Sequence, residues 1–572
     1  MKTSTIQLMV YGENLNDVEV IPNDGIEVLK VHKIENPSYA FVDIKIDNDA
    51  KPGDYTLTFR KNGHQIEYSY KLNARSDDPL RYQGFDNSDA IYLLMPDRFA
   101  NGDVENDSID GYYDSMQHIE FQKRYGGDLQ GVINNLNYIK ELGFTTIWLN
   151  PVFENNTFRS YHGYNGTDFY KVDPRLGTIE KYTELIEKAH KMGLKIIFDH
   201  VANHFSNDHE WFNNLPVKEW INGTPEKFPA ANHNKMAFTD PHTDSSTINH
   251  VIKGWFVDYM ADFNQRNPFV ANYIIQNTIW WIETTGFNGI REDTYPYCDQ
   301  DFMARWAKTI LDEYPSFNIV GEVWTGEPAF LSGYQKNNPL TQNETHLPSV
   351  TDFALRDFFV HAVQGQEGFY KLFNIFAKDF LYSNPDMLLT FADNHDVGRI
   401  LYYAKGNLDL AKMVYTILFT SRGIPSVLYA SELGVVSNED HGQLRVTMPG
   451  GFPNDKRNAF EESGRTDYEK EIFNYLRTLL HLRKDFPALA TGKMTHFPPK
   501  NETYFYFKSN GDQTLLVVLN GNPEEKTISF EEQSTFVNEN SELIDLFTNE
   551  KSTLNGLELT IPPITWKVYL IQ

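Results

Sequence analysis

The chain has 572 residues and a single cysteine, Cys298, so an intrachain disulfide and a cysteine zinc site are both excluded. No run approaches the roughly 18 to 20 uninterrupted apolar residues that a membrane span requires. Basic residues are the minority: 51 Lys and Arg face 78 Asp and Glu, a net charge of −27. Such a surface repels a phosphate backbone, which argues against nucleic acid as a ligand. A neutral substrate such as a sugar meets no such repulsion. The N-terminus, Met1-Lys2-Thr3-Ser4, lacks the apolar core of a signal peptide. Two expectations follow: a cytoplasmic protein, or one whose targeting segment has been removed.

The length exceeds one ordinary domain. Residues 1–85 read as short strands rich in β-branched and aromatic residues, punctuated by Pro-Gly at 52–53 and Asn-Gly at 62–63. An N-terminal β-sandwich is expected, able to bind sugar, contribute to a homodimer or merely pack on its neighbour. From about residue 88 strands alternate with helices, the rhythm of βα units around a parallel sheet. Leu129, Val132, Ile133, Leu136 and Ile139 recur at helical spacing, with Gly143 as a C-terminal cap. About eight such units fit, which predicts an α/β fold with a (β/α)₈ barrel at 86–202 and 263–487. An inserted lobe rich in Asn, His, Pro and aromatics, at 203–262, interrupts the rhythm after the third strand. Strands return at 488–572 as a C-terminal β-sandwich.

In such a barrel, functional groups stand at the C-terminal ends of the strands. The third strand ends Phe198-Asp199-His200-Val201-Ala202-Asn203-His204, and the fourth Gly289-Ile290-Arg291-Glu292-Asp293. The fifth ends Ile319-Val320-Gly321-Glu322-Val323-Trp324, and the seventh Phe391-Ala392-Asp393-Asn394-His395-Asp396. Acidic residues at four strand ends converge on one mouth. Strand periodicity puts Arg291 and Asp293 on one face, where the guanidinium favours an ionised carboxylate. The same period turns Glu292 away from the barrel axis.

These four blocks together resemble the α-amylase family, and within it the cyclomaltodextrinase and neopullulanase type. Tyr161-His162-Gly163-Tyr164 looks like the family's substrate loop, and Gly423-Ile424-Pro425 leading to Glu432-Leu433-Gly434 like its eighth-strand motif. Met260-Ala261-Asp262-Phe263-Asn264 resembles a further block of the cyclomaltodextrinase type. The resemblance implies a nucleophile at Asp293, a general acid/base at Glu322 and a third carboxylate at Asp396. It implies sugar contacts at His162, Tyr164, His204, Arg291 and His395, while Asp199 and Arg399 are read as structural supports. A retaining glycosidase needs the same cast, with two carboxylates about 5 to 5.5 Å apart in unlike environments.

The loop from Asp97 to Asp107 is dense in oxygen ligands of the kind calcium prefers. The resemblance implies a structural Ca²⁺ held by Asn101, Asp103, Asn106, Asp107, the Gly126 carbonyl and Asp128. A second family calcium site would use a histidine four residues after the nucleophile, where this chain has Tyr297; that site is not expected. Thr294-Tyr295-Pro296-Tyr297 departs from the family pattern on the leaving-group side. The implied activity is endo-type hydrolysis, with retention, of α-1,4-glucosidic bonds in cyclodextrins, malto-oligosaccharides, pullulan or starch. α-Glucanotransfer on the same substrates is the rival, and a non-catalytic glucan-binding protein a more distant one. Alignment with such relatives implies a trimmed periplasmic protein, with a cytoplasmic one as the alternative.

Overall fold

The strands nearest the molecular centre are short and buried at every residue, as in Ile91–Leu94, Thr146–Leu149 and Gly289–Glu292. Such segments are covered on both faces, which is why they read as continuous apolar runs and not as an alternation. The computed structural model describes residues 2–114, 116, 121–341, 343–554 and 556–572. In it, eight strands form one parallel sheet, joined in space as Ser349–Val350, Asn318–Gly321, Gly289–Glu292, Lys195–His200, Thr146–Leu149, Ile91–Leu94, Ile424–Leu428 and Leu389–Phe391. A parallel bridge from Thr351 to Leu389 closes the two ends on each other. The result is the (β/α)₈ barrel expected from the sequence.

The helices follow the local signals. Asn267 caps the helix Pro268–Thr285 through the Phe269 amide, Pro268 opens it, and Gly286 closes it at φ 83°. One helical stretch differs from expectation. The apolar pattern over 129–139 falls on two helices, Leu129–Asn134 and Leu136–Leu142. The break is at Asn135, whose side chain bonds the Gly131 carbonyl at 2.9 Å. Asparagine competes for backbone partners in this way.

The lobe inserted after the third strand is zipped at its base: His204–Ser206 pairs antiparallel with Met260–Asp262. At the N-terminus two three-stranded sheets face each other over a core that includes Val20, Val42, Ile44 and Leu57. This unit docks on the barrel through reciprocal bonds between Gln7 and Gln276, each 2.7 Å, and a Phe41–Phe269 stack at 4.2 Å. The C-terminal unit has a six-stranded sheet and a two-stranded one, and its Phe547 stacks on Tyr475 of the barrel's last long helix. No helix among the described residues is long and apolar enough to cross a membrane.

Register positions the charges. Asp199 pairs with Arg291, and His200 with Glu292, across the third and fourth strands. Registered neighbours point the same way, so one pair faces the barrel axis and the next faces the helices. Outside, Glu292 accepts from the Ala202 amide at 2.9 Å and meets His200 Nδ1 at 2.6 Å. The other ring nitrogen of His200 lies 3.0 Å from Thr278 Oγ1, to which Trp306 also donates. The charge at position 292 therefore has a buried partner, and burial pushes its carboxyl up. Removing one member of such a pair strands the other. Glu292→Ala should cost about 3–5 kcal/mol in urea unfolding, and Glu292→Leu combined with His200→Leu should recover much of that loss.

Candidate active site

The fourth strand carries the centre of the site. Arg291 is 1% exposed, and its guanidinium reaches three carboxylates: Asp199 at 2.8 Å, Asp293 at 2.6 Å and Glu322 at 2.9 Å. The last contact crosses to the neighbouring fifth strand, which ends at Gly321. Glu322 also accepts from the Thr294 amide at 3.0 Å. Asp293 and Glu322 thus share one guanidinium, bound to different nitrogens of its fork. Burial pushes the Asp293 carboxyl up, helped by the charges of Glu322, Asp199 and Asp396, while Arg291 pulls it down.

A second set of groups continues from Asp199. Its other oxygen accepts from Trp148 Nε1 at 2.8 Å and from the Tyr164 hydroxyl at 2.7 Å. That hydroxyl lies 2.6 Å from His395 Nε2 and also receives the Asn150 amide. The rings of Tyr164 and His395 are parallel within 5°. His395 Nε2 is 3.1 Å from Asp396, and Arg445 grips Asp396 from the far side at 2.8 Å. Burial opposes ionisation of Asp396, but His395, Arg445 and Arg291 together hold it well below the usual carboxylate range. His162 Nδ1 accepts from the Tyr164 amide at 3.0 Å, and His204 Nε2 donates to the Tyr164 carbonyl at 3.0 Å. Burial lowers these two histidines to about 3 and about 4, so both are neutral near pH 7.

The catalytic and sugar-contact residues singled out in the sequence therefore meet in one network. Arg291 was grouped with the sugar contacts, but the structure sets it beneath the carboxylates as their common counter-ion. Asp199 links Arg291 to Tyr164, and Arg399 bonds the Tyr429 carbonyl and Ser431 behind the eighth strand. Sequence reading missed Arg445, Asn150 and Trp148. Trp148 and Asn150 lie at the end of the second strand, a position that could have flagged them. Arg445 follows a four-residue helix in an irregular segment and carries no periodic signal.

The acidic loop near residue 101 offers mixed donors. Among the described residues, no three His, Cys, Asp or Glu side chains converge on a metal-sized point. Two neutral oxygens, Asn101 Oδ1 and Asn106 Oδ1, are buried without a partner among the described residues. Gly126 has φ 90°, and a side chain there would strike Asp107 Oδ1 at 2.5 Å. Asp128 is already taken: it caps the helix Leu129–Asn134 and accepts from the Gly102, Asp103 and Gly131 amides. Asp103 accepts from Glu105. At position 297, Tyr297 bonds His233 Nδ1 at 2.8 Å and packs with Ala237 and Val251, so this side chain docks the inserted lobe.

Three family models partition the chain. Residues 93–465 match the catalytic domain of α-amylases. The chain belongs to the α-amylase family. Residues 1–76 match the cyclomaltodextrinase N-terminal domain, and 494–569 the corresponding C-terminal domain. A β/α-amylase of Paenibacillus polymyxa is 29% identical over 84% of the chain, which spans 37% of that longer enzyme. A cyclomaltodextrinase of Thermoanaerobacter pseudethanolicus is 27% identical over 77% of the chain and 71% of its own length. Among solved structures, an Anoxybacillus α-amylase superposes with a TM-score of 0.72 at 27% identity, covering 85% of this chain and 98% of its own.

The Arg445–Asp396 pair makes a pH prediction. The folded carboxyl is depressed, so the pair's stabilisation is complete above the unfolded value of about 3.9 and is lost as pH falls through the lower folded value. Arg445→Met should lower Tm by a constant amount above about pH 4, with the gap to the unmodified protein closing at more acidic pH. A gap that widened on acidification would contradict the assignment.

Proposed function

We propose that this member of the α-amylase family hydrolyses α-1,4-glucosidic bonds in cyclodextrins, malto-oligosaccharides, pullulan or starch, with retention at the anomeric carbon. The observation that carries this reading is the carboxylate pair Asp293 and Glu322 on one buried guanidinium, with Asp396 held ionised nearby. Sharing a fork is compatible with the roughly 5–5.5 Å separation of a retaining pair. With a glucan bound, Glu322 acts as general acid and gives a proton to the glycosidic oxygen as the bond to the anomeric carbon breaks. Asp293, ionised against Arg291, attacks the same carbon and forms a covalent glycosyl ester. Glu322, now a carboxylate, takes a proton from water, and the resulting attack releases the sugar and restores Asp293. Tyr164 offers an aromatic face to the sugar, Asp396 accepts from its hydroxyls, and the neutral His162, whose Nδ1 already accepts from the Tyr164 amide, donates to a hydroxyl oxygen through Nε2.

Transfer to a second sugar in place of water is the alternative second step. Trp324, two residues after Glu322 and 41% exposed, favours keeping it in view, since an open aromatic face there would hold an acceptor.

Incubation with β-cyclodextrin, pullulan and soluble starch in parallel, followed by chromatography, tests the substrate class. The expected result is ring opening of the cyclodextrin to maltose and glucose, with the new reducing end in the α configuration by NMR. Asp293→Asn should lower kcat by at least about 10³-fold while binding survives. Folded protein that cleaves none of these glucans would remove the assignment.

The loop around residue 101 is proposed to hold a structural Ca²⁺, supported by the two partnerless Asn oxygens and the close approach at Gly126. Asn101, Asn106 and the Gly126 carbonyl are the residues available to it; Asp107, which accepts from Asn101 at 2.7 Å, and Asp103 and Asp128, which accept from backbone amides, would have to loosen existing bonds to join. An ion there would supply cross-linking charge to the entry loops and no chemistry to the reaction. Chelator should lower Tm, calcium should restore it, and Asn106→Ala should remove most of the calcium-dependent shift. A Tm indifferent to calcium would rule the site out.

A further inference from the structure

The segment after the nucleophile, Thr294-Tyr295-Pro296-Tyr297, contains no cation. A cation reaches this side of the site from the inserted lobe instead. Lys235 lies in a tight turn in which its own amide donates to His233 and the Ala237 amide to Asn234. Its carbonyl accepts from the buried Tyr334 hydroxyl at 2.7 Å, which clamps the turn to the segment that follows the fifth strand. The same strand delivers Glu322 and Trp324. Tyr297 fixes the turn from a third direction through His233 and the apolar cluster around Ala237.

The Lys235 side chain itself is not consumed by this clamp. Among the described residues its ammonium has no hydrogen bond or ion pair; it lies 5.8 Å from the Trp324 ring centroid and within electrostatic reach of Glu322. Trp324 stacks one face on Phe353, with centroids 5.0 Å apart and planes within 15°, and is otherwise open. A rigid, half-open indole beside an uncommitted, half-buried ammonium suits a pyranose: the ring's C–H face lies on the indole and its hydroxyls accept from the amine. The Tyr164–His395 stack belongs to the Asp396 network, which neither Lys235 nor Trp324 contacts.

We propose that Lys235 and Trp324 form the acceptor-side sugar subsite, so that the inserted lobe sets how firmly the departing sugar, or an incoming one, is held next to Glu322. The proposal rests on the hydrolase reading above and specifies one of its subsites. Lys235 contacts substrate without exchanging protons with it.

The test compares two substrates of one enzyme. Maltotetraose places a sugar on the acceptor side; 4-nitrophenyl α-maltoside places a flat aryl leaving group there, with no sugar hydroxyls for an amine to bond. Lys235→Met should reduce kcat/KM on maltotetraose about tenfold, the loss of one charge-assisted hydrogen bond, chiefly through KM. It should also reduce the ratio of transfer to hydrolysis at high maltotriose. Aryl maltoside hydrolysis should stay within about twofold, and Lys235→Arg should recover most of the oligosaccharide activity. Lys235→Gln serves as the second variant if Lys235→Met folds poorly. Equal losses on both substrates, or no loss on either, would overturn the subsite. An unmodified protein that cleaved neither would remove the hydrolase reading and this subsite with it.

Discussion

The burial of Arg291 governs the site. A guanidinium removed from water is tolerable only where its charge is matched. Here the match comes from three carboxylates supplied by three adjacent strands. Strand register makes this automatic for Asp199, and the step from the fourth to the fifth strand makes it possible for Glu322. Once Arg291 is fixed, the rest follows as a chain. Asp199 orients Tyr164 and Trp148, Tyr164 orients His395, His395 meets Asp396, and Arg445 closes the far end. Asp199, Asp293, Glu322 and Asp396 outnumber the two arginines that touch them. That surplus of negative charge adds to burial in pushing the Asp293 carboxyl up, against the pull of Arg291.

The fourth strand is also a two-sided device. Arg291 and Asp293 face inward while Glu292, between them, faces the helices and is held by His200 and the Ala202 amide. Both faces of one short strand are thus pinned to the third strand by charge-assisted bonds. A strand fixed on both sides has little freedom to shift its register, and a shift of one residue would exchange the inner and outer charges. The carboxylate that period two turned away from the barrel axis belongs to this anchoring.

The features legible in the sequence were those with a period or a fixed offset. Alternation of apolar strands and amphipathic helices gave the barrel, and strand ends gave a converging set of acids from which the family resemblance singled out Asp293, Glu322 and Asp396. Inward and outward directions at 291, 292 and 293 followed from period two. What escaped had no local signature. The sixth barrel strand is only Ser349–Val350, too short for any pattern to register. The helix break at Asn135 comes from one side-chain bond that apolar spacing does not encode. Arg445 and Lys235 reach the site from irregular segments, and only closure of the chain in three dimensions brings them there. Arg291 was legible as a residue facing the mouth but not as the shared counter-ion of three acids, because two of them, Asp199 and Glu322, come from other strands.

Thr294 shows how these parts are coupled. Its backbone is left-handed, at φ 45° and ψ 39°, a conformation that a β-branched residue adopts at a cost on the order of 1–3 kcal/mol. Its hydroxyl is buried without a partner among the described residues, so the side chain does not account for the geometry. The backbone does: in this conformation the Thr294 amide donates to Glu322 at 3.0 Å. One residue after the nucleophile, the chain is thereby tied to the acid/base on the next strand. Three residues further on, Tyr297 is tied to the inserted lobe through His233. Displacement of the lobe would consequently act on the spacing of Asp293 and Glu322 through a segment that is already strained and has little slack to absorb it. The lobe that supplies Lys235 is in this way mechanically linked to Asp293 and to Glu322, the carboxylate within electrostatic reach of its lysine.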